Sequence, residues 1–152
     1  LNKGTNISIY FPHMHDPNEG SLSVPEKVIN QYGTESILVV DDERSICELS
    51  KNLLSSKGYQ VLIADNGKTA LELLENNQID LLLSDVIMPN MDGYKLADKV
   101  RNKFPHIKIQ LVSGFDDDKK RTEKDNTLSK NILQKPYTAS QLFTVVRKVL
   151  DS

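Results

Sequence analysis

From residue 36 onward the sequence predicts an α/β domain on a parallel sheet, because five short apolar runs alternate with amphipathic stretches. The apolar runs are mostly continuous, as in strands buried on both faces. The stretches between them carry apolar residues at helical spacing. Strand–helix–strand units of this kind are nearly always right-handed crossovers, which cover both faces of one sheet.

Ile37-Leu38-Val39-Val40 is the first run and ends in Asp41-Asp42. Residues 43–56 then place Ile46, Leu49, Leu53 and Leu54 on one predicted helical face, with Gly58 as the stop. Val61-Leu62-Ile63-Ala64 is the second strand, and Asn66 is placed to cap a helix carrying Ala70, Leu71, Leu73 and Leu74. Leu81-Leu82-Leu83 is the third and ends at Ser84-Asp85. Leu96, Ala97 and Val100 give helical spacing over residues 93–104, and Ile107, Ile109 and Leu111 mark a fourth strand over 107–112. The stretch 119–129 has one large apolar residue, Leu128, so a helix is expected there only from its place in the series. Residues 131–134 supply the fifth strand, and 138–150 a last helix with Leu142, Val145, Val146, Val149 and Leu150 inward.

The 152 residues suffice for one domain and a tail. A net charge of −2 gives no electrostatic reason to expect nucleic acid or an anionic membrane as partner. Asp116, Asp117 and Asp118 directly precede Lys119, Lys120 and Arg121, a pattern read as a solvated segment. Cys47 is the single cysteine, which excludes an internal disulfide and suits a reducing compartment. With no signal peptide at its start and no run approaching ~20 apolar residues, the chain is expected to be soluble and cytoplasmic. It begins with Leu1 rather than Met, as a piece of a longer protein would.

Residues 1–35 differ in character. Ile7-Ser8-Ile9-Tyr10-Phe11 reads as a strand closed by Pro12, and 13–35 as a linker with a short helix at 25–32. His13 and His15 bracket Met14, and with no third ligand in view they are read as linker residues and not as a metal site.

In an open parallel sheet ligands bind beyond the carboxyl ends of the strands, where the strand order reverses. Those ends carry Asp41-Asp42, Asp85, Ser113-Gly114 and Lys135-Pro136. Taken singly each has an ordinary explanation: Asp42 as a helix cap, Ser113-Gly114 as a turn, Lys135-Pro136 as a solvated turn. Together they bring three carboxylates, a hydroxyl and an ammonium to one edge. Clustered carboxylates repel one another unless a cation is present, and magnesium suits oxygen donors that also meet phosphate. A carboxylate can act as nucleophile and form an acyl phosphate, with Lys135 and Ser113 placed to meet its oxygens.

These motifs identify the segment 36–152 as similar to the response-regulator receiver domains of two-component signalling. They are Val39-Val40-Asp41-Asp42-Glu43, then Asp85-Val86-Ile87-Met88-Pro89-Asn90-Met91-Asp92-Gly93, then Ser113-Gly114 and Lys135-Pro136-Tyr137. The resemblance implies a flavodoxin-like (βα)5 doubly wound sheet of order 2-1-3-4-5. It implies Asp85 as phosphoacceptor and as metal ligand, and Mg2+ as cofactor. Asp42 is then the direct ligand, Asp41 the holder of metal-bound water, and Ile87 the donor of a backbone carbonyl. Ser113 becomes the switch hydroxyl and Lys135 the phosphate-binding lysine. Pro136 falls where the family commonly has a cis peptide bond. Ile132 stands where the family often has an aromatic residue, a departure that touches the signal and not the phosphorylation.

The start of the chain, Asn2-Lys3-Gly4-Thr5-Asn6-Ile7-Ser8-Ile9-Tyr10-Phe11-Pro12, resembles the last strand of a histidine-kinase ATP-binding domain. That implies residues 1–12 as its remnant, 13–35 as linker and 36–152 as the C-terminal receiver of a hybrid sensor histidine kinase. The expected partner is a histidine kinase domain or a histidine phosphotransfer protein, with no nucleic acid and no direct membrane contact. The domain would be an enzyme only in catalysing its own phosphorylation and dephosphorylation. The competing function is a phosphate-independent interaction module, against which the retained acids and lysine argue. An aspartate-nucleophile phosphatase usually has a second acid two residues after the nucleophile, where Ile87 stands.

Overall fold

The computed structural model describes residues 31–114 and 132–152. The expectations for 1–30 and 119–129 lie outside them. The described elements are β1 Ser36–Val40, α1 Arg44–Ser55, β2 Gln60–Ala64, α2 Gly67–Asn76 and β3 Leu81–Asp85. They continue with α3 Gly93–Lys103, β4 Lys108–Ser113, β5 Leu133–Gln134 and α4 Ala139–Leu150.

All strand pairs are parallel, and the order is β2-β1-β3-β4-β5. This is the flavodoxin-like doubly wound sheet. Because side chains alternate along a strand, β1 and β3 feed two separate cores. Ile37, Val39, Leu81 and Leu83 pack with Leu54 of α1 and Leu142 and Val146 of α4. Leu38, Val40 and Leu82 pack on the opposite face with Leu74 of α2 and Leu96 and Val100 of α3. Burying each such leucine or valine contributes roughly 1.5–3 kcal/mol of transfer free energy.

Helix starts follow from side chains that satisfy free amide groups. Asn66 accepts from the Thr69 amide at 2.9 Å, as its place in the sequence predicts. Asp92 accepts from the Lys95 amide at 2.8 Å. Thr138 and Gln141 cap α4 reciprocally. The cap position of α1 falls on Glu43, so the helix-cap explanation for Asp42 does not hold. Gly58, at φ 94°, turns the chain after α1 toward β2.

One predicted face needs correction. The inward residues of α1 are Cys47, Ser50 and Leu54, whereas Leu49 is 55% exposed. Ile46 and Leu53, half-buried, and Leu49 instead line an apolar groove of about 510 Å³ with Pro136 and Tyr137. Helical spacing alone could not separate the stripes, because the truly buried one uses a short thiol and a hydroxyl.

Candidate functional site

The strand order reverses between β1 and β3, and their carboxyl ends deliver Asp41 and Asp85 to the same place. Both side chains are buried. Lys135 follows β5 and reaches between them: its Nζ donates to Asp41 Oδ2 at 2.8 Å and to Asp85 Oδ1 at 2.6 Å. The lysine side chain is 28% exposed, so it is no solvated turn residue. It is positioned at its base by the Lys135 amide, which donates to the Ser113 carbonyl at 2.7 Å, and the Lys135-Pro136 peptide is cis.

The second Asp85 oxygen, Oδ2, accepts from the Ile87 amide at 3.0 Å. That donor was not anticipated from sequence, where only the Ile87 carbonyl had a role. The loop that presents it is pinned at several points. The Val86 amide donates to the Val112 carbonyl at 2.9 Å, and the Gly93 amide to the Val86 carbonyl at 2.8 Å. Asn90 takes a left-handed φ of 66°, which asparagine tolerates better than most residues. Gly93 lies so close beneath the phosphoacceptor candidate that a Cβ there would stand 2.2 Å from the Asp85 carbonyl oxygen. Ile87 itself is 47% exposed.

Of the residues singled out in the sequence, Asp41, Asp85 and Lys135 are brought into direct contact. Ser113, buried at the end of β4, stands beside them in the sheet, since β4 pairs with both β3 and β5. Asp42, next to Asp41 in the chain, is exposed, and among the described residues no three His, Cys, Asp or Glu side chains are already drawn together around a metal position. Ile132, in place of the expected aromatic, packs against Val86, Ala97 and Leu111.

Burial pushes the Asp85 carboxyl above its usual range; the Lys135 ammonium and the Ile87 amide act against this, and the Asp41 charge adds to it. Burial alone would lower the Lys135 pKa, but its hydrogen bonds and charge contacts with Asp41 and Asp85 carry it upward. One ammonium against two carboxylates leaves the cluster short of positive charge. Hard oxygen donors in this state fit a small divalent cation such as magnesium. The single thiol does not compete, since Cys47 donates to the carbonyls of Asp41 and Ala64, and burial raises its pKa to about 11. Two buried carboxylates, one fixed by an ammonium and an amide, form a site able to hold a phosphoryl group and its counter-charge.

The chain is 31% identical over 160 aligned residues to the sensor kinase CckA of Brucella abortus, a match covering 99% of this chain and 17% of that protein. It is 42% identical over 94 residues to the sensor histidine kinase RcsC of Escherichia coli, covering 61% of this chain and 10% of RcsC. The chain thus spans a small part of these two relatives. Among solved structures, the response regulator TrrA of Thermotoga maritima, in complex with Mg2+ and BeF, superposes with a TM-score of 0.67 and 31% identity. That match covers 76% of this chain and 98% of TrrA. Residues 37–147 match the family model of the response regulator receiver domain, and the chain belongs to that family.

Proposed function

We propose that this receiver takes a phosphoryl group from a phosphohistidine onto Asp85. The observation that carries the proposal is the Lys135 ammonium held 2.8 Å from Asp41 and 2.6 Å from Asp85. A carboxylate oxygen of Asp85 forms the new P–O bond as the P–N bond to the imidazole breaks. The imidazole departs with the electron pair and takes up a proton. Lys135 shifts its charge from the carboxylate to the phosphoryl oxygens, the Ile87 amide orients Asp85, and Ser113 donates to the arriving group. Asp42, Asp85 and the Ile87 carbonyl would hold magnesium, with Asp41 reaching it through water, and the ion would offset the charge of the phosphoryl oxygens.

The parent protein is proposed to be a hybrid sensor histidine kinase acting in the cytoplasm, with a histidine kinase domain or a histidine phosphotransfer protein as partner. The match to CckA supports this, since it extends over 99% of the chain and so beyond the receiver into residues 1–35.

The test is intact-protein mass spectrometry after incubation with acetyl phosphate and magnesium, comparing the wild type with Asp85→Asn. An adduct of ~80 Da in the wild type alone is expected. An equal adduct in Asp85→Asn would refute the assignment, and no adduct in either would favour the interaction module.

A further inference from the structure

The residues that lead into β1 are gripped by the far end of the domain. The Gly33 amide donates to the Lys57 carbonyl at 3.1 Å, and the Gln60 amide to the Glu35 carbonyl at 3.0 Å. Glu35 Oε1 lies 2.7 Å from Arg147 Nη2 on α4, and the same Arg147 nitrogen lies 2.7 Å from Asp151. Arg147 is only 12% exposed, so this is no loose surface pair. Lys57 Nζ stands 4.5 Å from the centre of the Tyr32 ring and 5.1 Å from that of Phe143, tying the entering chain to α4 a second time. Gly33 is seated so tightly that a Cβ would be 2.3 Å from a Tyr59 ring carbon and 2.9 Å from Arg147 Nη1.

The other end of α4 follows the site closely in the chain. The helix begins four residues after Lys135, and its 12 residues span about 18 Å. Leu142 and Val146 lock it into the core, while Arg147 pairs with Glu35 of the entering chain and Phe143, one turn earlier, meets Lys57. α4 thus stands between two ionic contacts: that of Lys135 with Asp41 and Asp85, four residues before its start, and that of Arg147 with Glu35 near its end.

We propose that residues 31–35 and α4 form a clamp that loosens when Asp85 is phosphorylated, passing the signal back to the chain preceding the domain. The inference rests on the phosphoacceptor role of Asp85. Phosphorylation of that carboxylate ends the arrangement in which Lys135 bonds Asp85 and Asp41, because charge of about −2 now sits farther out on the phosphoryl oxygens. Lys135 follows it, the start of α4 follows Lys135, and the Arg147 end shifts against Glu35. A packed helix moves as a body and not by local stretching.

The test is amide hydrogen exchange of the whole chain, with and without magnesium and beryllofluoride, read at Gly33, Gln60 and Ile87. Exchange at Gly33 and Gln60 should quicken by about threefold or more while Ile87 also changes. In Glu35→Gln the two clamp amides should exchange quickly from the outset and respond no further, with Asp85 still phosphorylated to the wild-type extent. A change at Ile87 with Gly33 and Gln60 constant or slowed would overturn the clamp and leave the phosphoacceptor role standing. No change at any of the three would overturn both.

Discussion

At the scale of single residues the site depends on Gly93 as much as on the acids it displays. A Cβ at this position would meet the Asp85 carbonyl oxygen at 2.2 Å and the Val86 Cα at 3.0 Å, and neither can turn aside as a side chain would. Gly93→Ala is therefore expected to cost about 1–3 kcal/mol and to slow phosphorylation by displacing Asp85. Urea unfolding together with acetyl phosphate kinetics checks this, and a variant matching the wild type in both would contradict it. Asp85 and Lys135 were legible because residues with an ordinary explanation singly close successive apolar runs and so meet at one edge of the sheet. The Ile87 amide was not, since every residue but proline has one and only the fold of the 86–93 loop aims it.

At the scale of elements, the strands and helices came through where apolar runs were long and well bounded. Their faces were less secure. Leu49 reads as core by spacing, yet Cys47 and Ser50 occupy the buried side of α1. The join between linker and domain was also hidden. Glu35, ascribed to the linker, pairs with Arg147 across 112 residues, a contact that no local pattern announces. That pair makes a pH prediction. The hydrogen bond from Arg147 holds the Glu35 carboxyl below its ordinary range. A depressed carboxylate adds stability above its unfolded pKa and loses it as pH falls through the folded value. The stability gap between the wild type and Glu35→Gln, on the order of 1 kcal/mol at neutral pH, should thus shrink as acid is added. Urea midpoints compared at pH 7 and near 4 read it directly, and a gap independent of pH would exclude the ion pair as its source.

At the scale of the molecule, two cores on either side of one sheet set β1 and β3 so that their last residues meet at the reversal of strand order. Composition said little beyond a globular domain with a net charge of −2, and the order of chemistry-bearing residues at strand ends said most. What sequence could not convey was which acids touch. Asp41 and Asp85 share Lys135, while Asp42 stays in solvent. The central claim is that Asp85 and no neighbouring acid becomes phosphorylated. The most direct measurement is borohydride reduction of the phosphorylated protein followed by peptide sequencing, since an acyl phosphate is reduced where a free carboxylate is not. Homoserine in place of Asp85 alone is the expected result; homoserine in place of Asp41 or Asp42, with Asp85 intact, would contradict it.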